Sequence, residues 1–187
     1  MKDDLNHKWY TAKDIKNLLG ISSGQLFHWG QTWGLITPKI KGGGRAYKDK
    51  YSFMNLLDIA LIKELNEMGF EPSKIKYILK PYDRSDAPKE WRGSIWNFFK
   101  YGREDKEEYD GTADKWNTFP GYDKSGCLIL MGKEKDEYLI YFIGHNERVL
   151  SLITNLMKRT EDAPKSFFII DLLNIVREVE EKTGEKL

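Results

Sequence analysis

Cysteine is all but missing. Cys127 stands alone in 187 residues, so no internal disulfide can form and a cysteine-rich zinc site is excluded. Histidine is scarce as well: His7, His28 and His145 lie far apart in sequence, and neither a metal centre nor a cofactor is expected. No apolar run approaches the roughly 18–20 residues that a membrane span requires. Met1-Lys2-Asp3-Asp4 lacks the apolar core of a signal peptide. These absences point to a cytoplasmic chain in a reducing compartment, with no membrane partner.

Glutamate is absent before Glu64, and the charge is unevenly placed. Residues 1–80 carry 13 Lys/Arg against 8 Asp/Glu, whereas 81–187 carry 17 against 21. The net charge of +1 therefore hides a basic front and an acidic rear. A basic segment is what a polyanion partner requires.

The front half carries an ordered set of helix signals. Thr11 is a good N-cap, with Asp14 at the positive end of the helix dipole. Ile15, Leu18 and Leu19 share one face, and Gly20 is a stop residue. Ile21 plugs the turn, a serine caps again, and Gly24-Gln25-Leu26-Phe27-His28-Trp29 forms a second short helix. Two short helices joined by a tight glycine turn are a helix-turn-helix pattern. Trp33 to Pro38 is a short apolar run. Lys39 to Tyr51 then reads as a hairpin with a triple-glycine tip between strand-compatible arms. That hairpin has five basic residues and one acid. Its glycines do not make a P-loop, because no Gly-Lys-Ser/Thr follows them. Ser52 caps a longer helix on which Leu56, Ile59, Ile62 or Lys63, Leu65 and Met68 recur at three- and four-residue steps, ended by Gly69-Phe70. Pro72 opens a last helix that buries Ile75, Ile78 and Leu79.

Tyr10-Thr11, Gly20-Ile21-Ser22, Gly34-Leu35-Ile36-Thr37-Pro38, the Gly/Arg/Tyr hairpin, Tyr51-Ser52 and the apolar series from Leu56 to Leu79 occur in an order that resembles the DNA-binding domain of the MerR family of bacterial transcriptional regulators. The resemblance spans Tyr10 to Leu79. It implies a winged helix-turn-helix whose second helix enters the major groove, whose wing contacts phosphates, and which works as a homodimer on double-stranded DNA. Three departures stand out. The family's second helix usually reads Arg-Thr-Leu-Arg-Tyr-Tyr, and both arginines are missing here. Trp33-Gly34 arrives one residue late. The wing is longer than usual, so Tyr47 and Tyr51 compete for one family position.

The expected DNA-binding residues are Ser22, Gln25 and His28 on the second helix, and Lys39, Lys41, Arg45, Tyr47 and Lys48 on the wing, with Lys50 beside them. Gln25 could pair bidentately with adenine; the lysines and Arg45 would position the protein on phosphates. Trp29 and Trp33 read as core and wing support.

The rear half divides into an aromatic-rich connector over 81–126 and a small α+β unit over 127–187. The connector's aromatics either plug an irregular core or line a pocket for a small-molecule effector of unknown identity; Ser94–Tyr101 could form a short helix within it. The α+β unit is expected to hold strands over Cys127–Met131 and Tyr138–Ile143, a helix from Asn146 to Met157, a strand over Phe167–Ile170, and an amphipathic helix from Asp171. On that last helix Leu172, Val176 and Val179 form a stripe suited to pairing two copies, and Leu173 and Ile175 flank it. Cys127 reads as a buried inert thiol. Asp105, Glu107, Glu108 and Asp110 read as a charged loop, with no nucleophile or base beside them. The expected fold is therefore mostly α with a small β component: a winged helix-turn-helix domain over 1–80, then the connector and the α+β domain. The expected function is non-catalytic, sequence-specific transcriptional regulation. The alternative is a protein-interaction or adaptor module on a winged-helix scaffold.

Overall fold

The first three helices of the front half each begin at a side-chain cap. In the computed structural model, which describes residues 8–43, 48–79, 95–96, 127–132, 138–143, 154 and 166–187, α1 spans Ala12–Leu19. Thr11 and Asp14 form a capping box: Asp14 Oδ2 accepts from the Thr11 backbone N–H at 2.8 Å and from its hydroxyl at 2.7 Å. Gly20, at φ 74°, ends the helix and donates to the Lys16 carbonyl. Ile21, 2% exposed, pins the turn between the helices. Ser22 caps α2, Ser23–Phe27.

The chain then stays helical over 28–32 but widens into a π-helical stretch, His28–Thr32. The Trp33 N–H bonds the carbonyl five residues back, at His28, and the Leu35 N–H reaches six back, to Trp29. Gly34, at φ 64°, makes the left-handed turn between those two donors. A π-stretch takes up one extra residue within a helix. Here it absorbs the residue that delays Trp33-Gly34, so Trp29 stays buried at 3% exposure.

The core of the front half is α3, Phe53–Glu67, entered through a Ser52–Asn55 capping box. Leu56, Leu57, Ile59, Leu61, Ile62 and Leu65 are fully buried, each worth about 1.5–3 kcal/mol of apolar burial. Met68, expected on this face, lies just past the helix and is exposed. α4, Pro72–Leu79, starts at the proline. The Glu71 carbonyl accepts from Lys74 and Ile75 at 3.0 Å, and Ile75, Ile78 and Leu79 are buried.

Among the described residues the wing is less regular than its sequence predicts. A single antiparallel bridge, Ile40 to Lys50, closes it, with hydrogen bonds of 3.1 and 2.9 Å. Gly42-Gly43 extends no strand, in keeping with the low β-propensity of glycine; the Gly42 N–H is taken instead by Asp49 Oδ1 at 2.8 Å. A second bridge joins Tyr10 to Tyr51 and ties the wing to the start of α1.

In the rear half, β1 (Cys127–Gly132), β2 (Tyr138–Ile143) and β3 (Ser166–Asp171) form an antiparallel sheet in the order β2-β1-β3. Cys127 stands opposite Ile143 on one side and Asp171 on the other. On β3, Ile170 is buried and Ile169 is 47% exposed, so the pleat has one covered face there. The helix expected from Asn146 lies outside the described residues, except for Thr154, which is helical. Of the expected short helix Ser94–Tyr101, only Ile95 and Trp96 are described; both are helical and fully buried. The charged loop at 105–110 lies outside the described residues, as does the Cys127 side chain.

The final helix, α5 (Leu172–Thr183), is capped by Asp171, whose Oδ1 accepts from the Asn174 N–H at 3.0 Å. The chain divides into two units, and the first runs to Leu79 and takes in Ile175–Leu187. Sequence order alone groups this end of the chain with the α+β segment instead. Within the first unit, Lys8 Nζ donates to the Thr183 carbonyl at 3.0 Å, and the Tyr10 hydroxyl donates to the Glu185 carboxylate. Val176 and Val179 are 1% and 0% exposed, and Leu172 is fully buried. The expected pairing stripe is therefore core within a single copy.

Candidate nucleic-acid interface

The turn between α1 and α2 sets the outward face of the second helix. Leu26 and Trp29 point into the core, while Ser22, Ser23, Gln25, Phe27, His28 and Gln31 are exposed. Two of these side chains are committed locally. Gln25 Oε1 accepts from the Ser22 N–H at 3.0 Å and from its hydroxyl at 2.9 Å, while Ser22 Oγ accepts from the Gln25 N–H at 3.2 Å. Bidentate pairing with adenine needs the amide oxygen as well as the amide nitrogen. With the cap closed, Gln25 has only its NH₂ donors to offer. The spacing Ser22-x-x-Gln25 is itself the sequence signature of such a box. His28 lies against Trp33, with ring centroids 4.6 Å apart and planes tilted by 59°.

Of the expected wing residues, Lys39, Lys41, Lys48 and Lys50 are described and all exposed. Arg45 and Tyr47 lie outside the described residues. The base of the wing is braced by Asn55, whose Nδ2 donates to the Thr37 carbonyl at 3.2 Å. Tyr51 is buried where the wing is bridged to Tyr10. Desolvation raises its phenol above the ordinary value, with the nearby Asp49 carboxylate adding to the effect.

A cleft of about 460 Å³ opens between α1, the second helix and the wing base. Phe27 and Gln31 line it from one side, Lys13 and Lys16 from another, and Lys48 and Asp49 from the wing. Lys13 and Lys16 did not emerge from the sequence as site residues. Their i, i+3 spacing on the solvent face of α1 was visible, but nothing in it shows that α1 flanks the second helix's exposed face. The sequence has no Asp or Glu between Asp14 and Asp49. Both of those carboxylates are engaged within the fold, Asp14 by Thr11 and Asp49 by the Gly42 N–H. The Thr11 hydrogen bonds, backbone first, hold the Asp14 carboxyl below its ordinary range. Three lysines against one aspartate leave the lining of the cleft net positive.

Among the described residues no cluster of three His, Cys, Asp or Glu could hold a metal ion, and no helix is long and apolar enough to cross a membrane. Residues 10–81 match the family model described as MerR HTH family regulatory protein, which makes this segment a MerR-type helix-turn-helix domain. The match covers less than half of the chain. No curated protein matches the chain, and neither does any solved structure.

Proposed function

We propose that the chain is a DNA-binding transcriptional regulator that lays its second helix in the major groove and rests α1 and the wing base on the flanking phosphates. The observation that carries this reading is the cleft beside the exposed face of the second helix, where Lys13, Lys16 and Lys48 outnumber the single carboxylate, Asp49. In helix-turn-helix proteins the second helix meets base edges and neighbouring elements meet the backbone. Lys39, Lys41, Arg45, Tyr47 and Lys48 make the phosphate contacts. Gln25, capped by Ser22, reads a base-edge acceptor through its NH₂ group, and His28 donates beside it. Two copies bind a palindromic site as a homodimer, through a surface other than Val176 and Val179. The protein acts in the cytoplasm and without catalysis, and its second unit serves effector binding, pairing of copies, or both.

Selection of bound duplexes from a random pool tests this reading. It should return one symmetric motif with half-sites about one helical turn apart or a multiple of that. Recovery of no motif, together with no binding to duplex at low salt, would favour the adaptor reading instead.

A further inference from the structure

The most exposed large apolar side chain among the described residues is Phe27, 66% exposed, at the end of α2. It lines the cleft whose other walls carry Lys13, Lys16 and Lys48, with Asp49 the one acid among the lining residues. A lone exposed apolar residue is ordinary on a protein surface. This one sits on the outward face of a helix-turn-helix second helix, in a cleft where three lysines outnumber the one aspartate, and that aspartate accepts from the Gly42 N–H. A partner that satisfies both features is a polyanion with an apolar group displayed between its charges. Duplex DNA meets that description, because the thymine C5-methyl projects into the major groove between phosphate rows. RNA does not, since uracil lacks the methyl and the A-form major groove is too deep and narrow for a helix.

Resting on the DNA-binding reading above, we propose that Phe27 is a specificity-determining residue that reads the C5-methyl of thymine. The lysines around it supply attraction without sequence information. With the Gln25 amide oxygen held in the cap, the second helix has one fewer acceptor for base edges, and an apolar contact supplies sequence information in its place. Cytosine methylated at C5 presents the same group at the same place, so it substitutes for thymine as a contact.

The test uses the full-length protein and a duplex chosen by selection, with thymines replaced singly by deoxyuridine. Uridine pairs as thymine does and lacks only the methyl. Burying one methyl-sized group is worth about 0.8 kcal/mol, or about fourfold in affinity. At one thymine in each half-site the wild type should therefore lose about fourfold on replacement. Phe27→Ala should bind the thymine and uridine duplexes alike, and Phe27→Leu should keep part of the preference. All three proteins should keep the same dependence on salt, because no charge changes. Phe27 packs into no core, so the variants should melt with the wild type. Equal wild-type affinity for every uridine duplex, with salt-dependent binding intact, overturns the Phe27 assignment and leaves the DNA-binding reading standing. A thymine preference that persists in Phe27→Ala also overturns it, by assigning the methyl to another side chain. Absence of salt-dependent binding to any duplex overturns both readings.

Discussion

Val179 is the position where the structure and an assembly through the last helix make opposite demands. In the structure it is fully buried within one copy, in the unit that also holds the helix-turn-helix. Val179→Ala deletes two methyl-sized groups. At about 0.8 kcal/mol each, plus a cavity term, the loss comes to about 2 kcal/mol. For a chain of this length, 1 kcal/mol shifts the melting temperature by about 2–4 °C, so the variant should melt about 4–8 °C below the wild type. Thermal unfolding followed by circular dichroism at several protein concentrations reads this directly. The shift should be the same at every concentration, and the mass in light scattering should match the wild type. A variant that melts with the wild type, or whose melting differs only at low concentration together with a fall in mass, would show that Val179 faces a second copy and that the intramolecular docking of α5 is wrong.

Other perturbations separate the remaining parts of the account. Ser22→Ala removes the α2 cap and should cost about 1 kcal/mol in urea unfolding; an unchanged midpoint would mean the Ser22–Gln25 box contributes nothing. Tyr10 is held above its ordinary value near 10 by burial first and then by Glu185. Its contribution is full below about pH 10 and falls as the pH rises further. Stability should therefore drop in alkali, and Tyr10→Phe should make that slope shallower, leaving the part due to Tyr51, while costing about 1 kcal/mol at pH 7. Asp14, held low by Thr11, works in the opposite direction. Its contribution is present above the ordinary value of about 3.9 and is lost as the pH falls further. Asp14→Asn should thus flatten the acid limb of the stability profile, and an identical limb would remove Asp14 from the cap.

The capping chemistry makes most of the front half legible. Thr11, Gly20, Ser22 and Ser52 each stand where the structure uses them, because a cap is a local event that one or two side chains decide. The π-stretch is legible only as a late Trp33-Gly34. Apolar spacing places Leu26 and Trp29 inside but does not say whether Trp33 bonds four or five residues back. The wing's arms look more regular in sequence than they are, since Gly42 and Gly43 permit an extended chain without favouring a ladder. Val176 and Val179 read correctly as an apolar stripe. Amphipathicity says that a face is covered and not what covers it, so the sequence could not separate a second copy from the chain's own first unit. Lys13 and Lys16 escape a sequence reading for the same reason: their place beside the second helix is a tertiary fact. Gln25 looks like a base-pairing residue from its position in the second helix, although Ser22-x-x-Gln25 already spells its cap.

The central claim is that the lysine-rich cleft beside the second helix holds duplex DNA by its phosphates. The most direct measurement is fluorescence anisotropy of a labelled random duplex, titrated with protein across a series of salt concentrations. The logarithm of affinity should fall linearly with the logarithm of salt. The slope of a Lys13→Ala, Lys48→Ala double variant should be shallower by about two, close to one per lost phosphate contact. A wild type that binds no duplex at low salt, or a double variant with the wild-type slope, would contradict that claim.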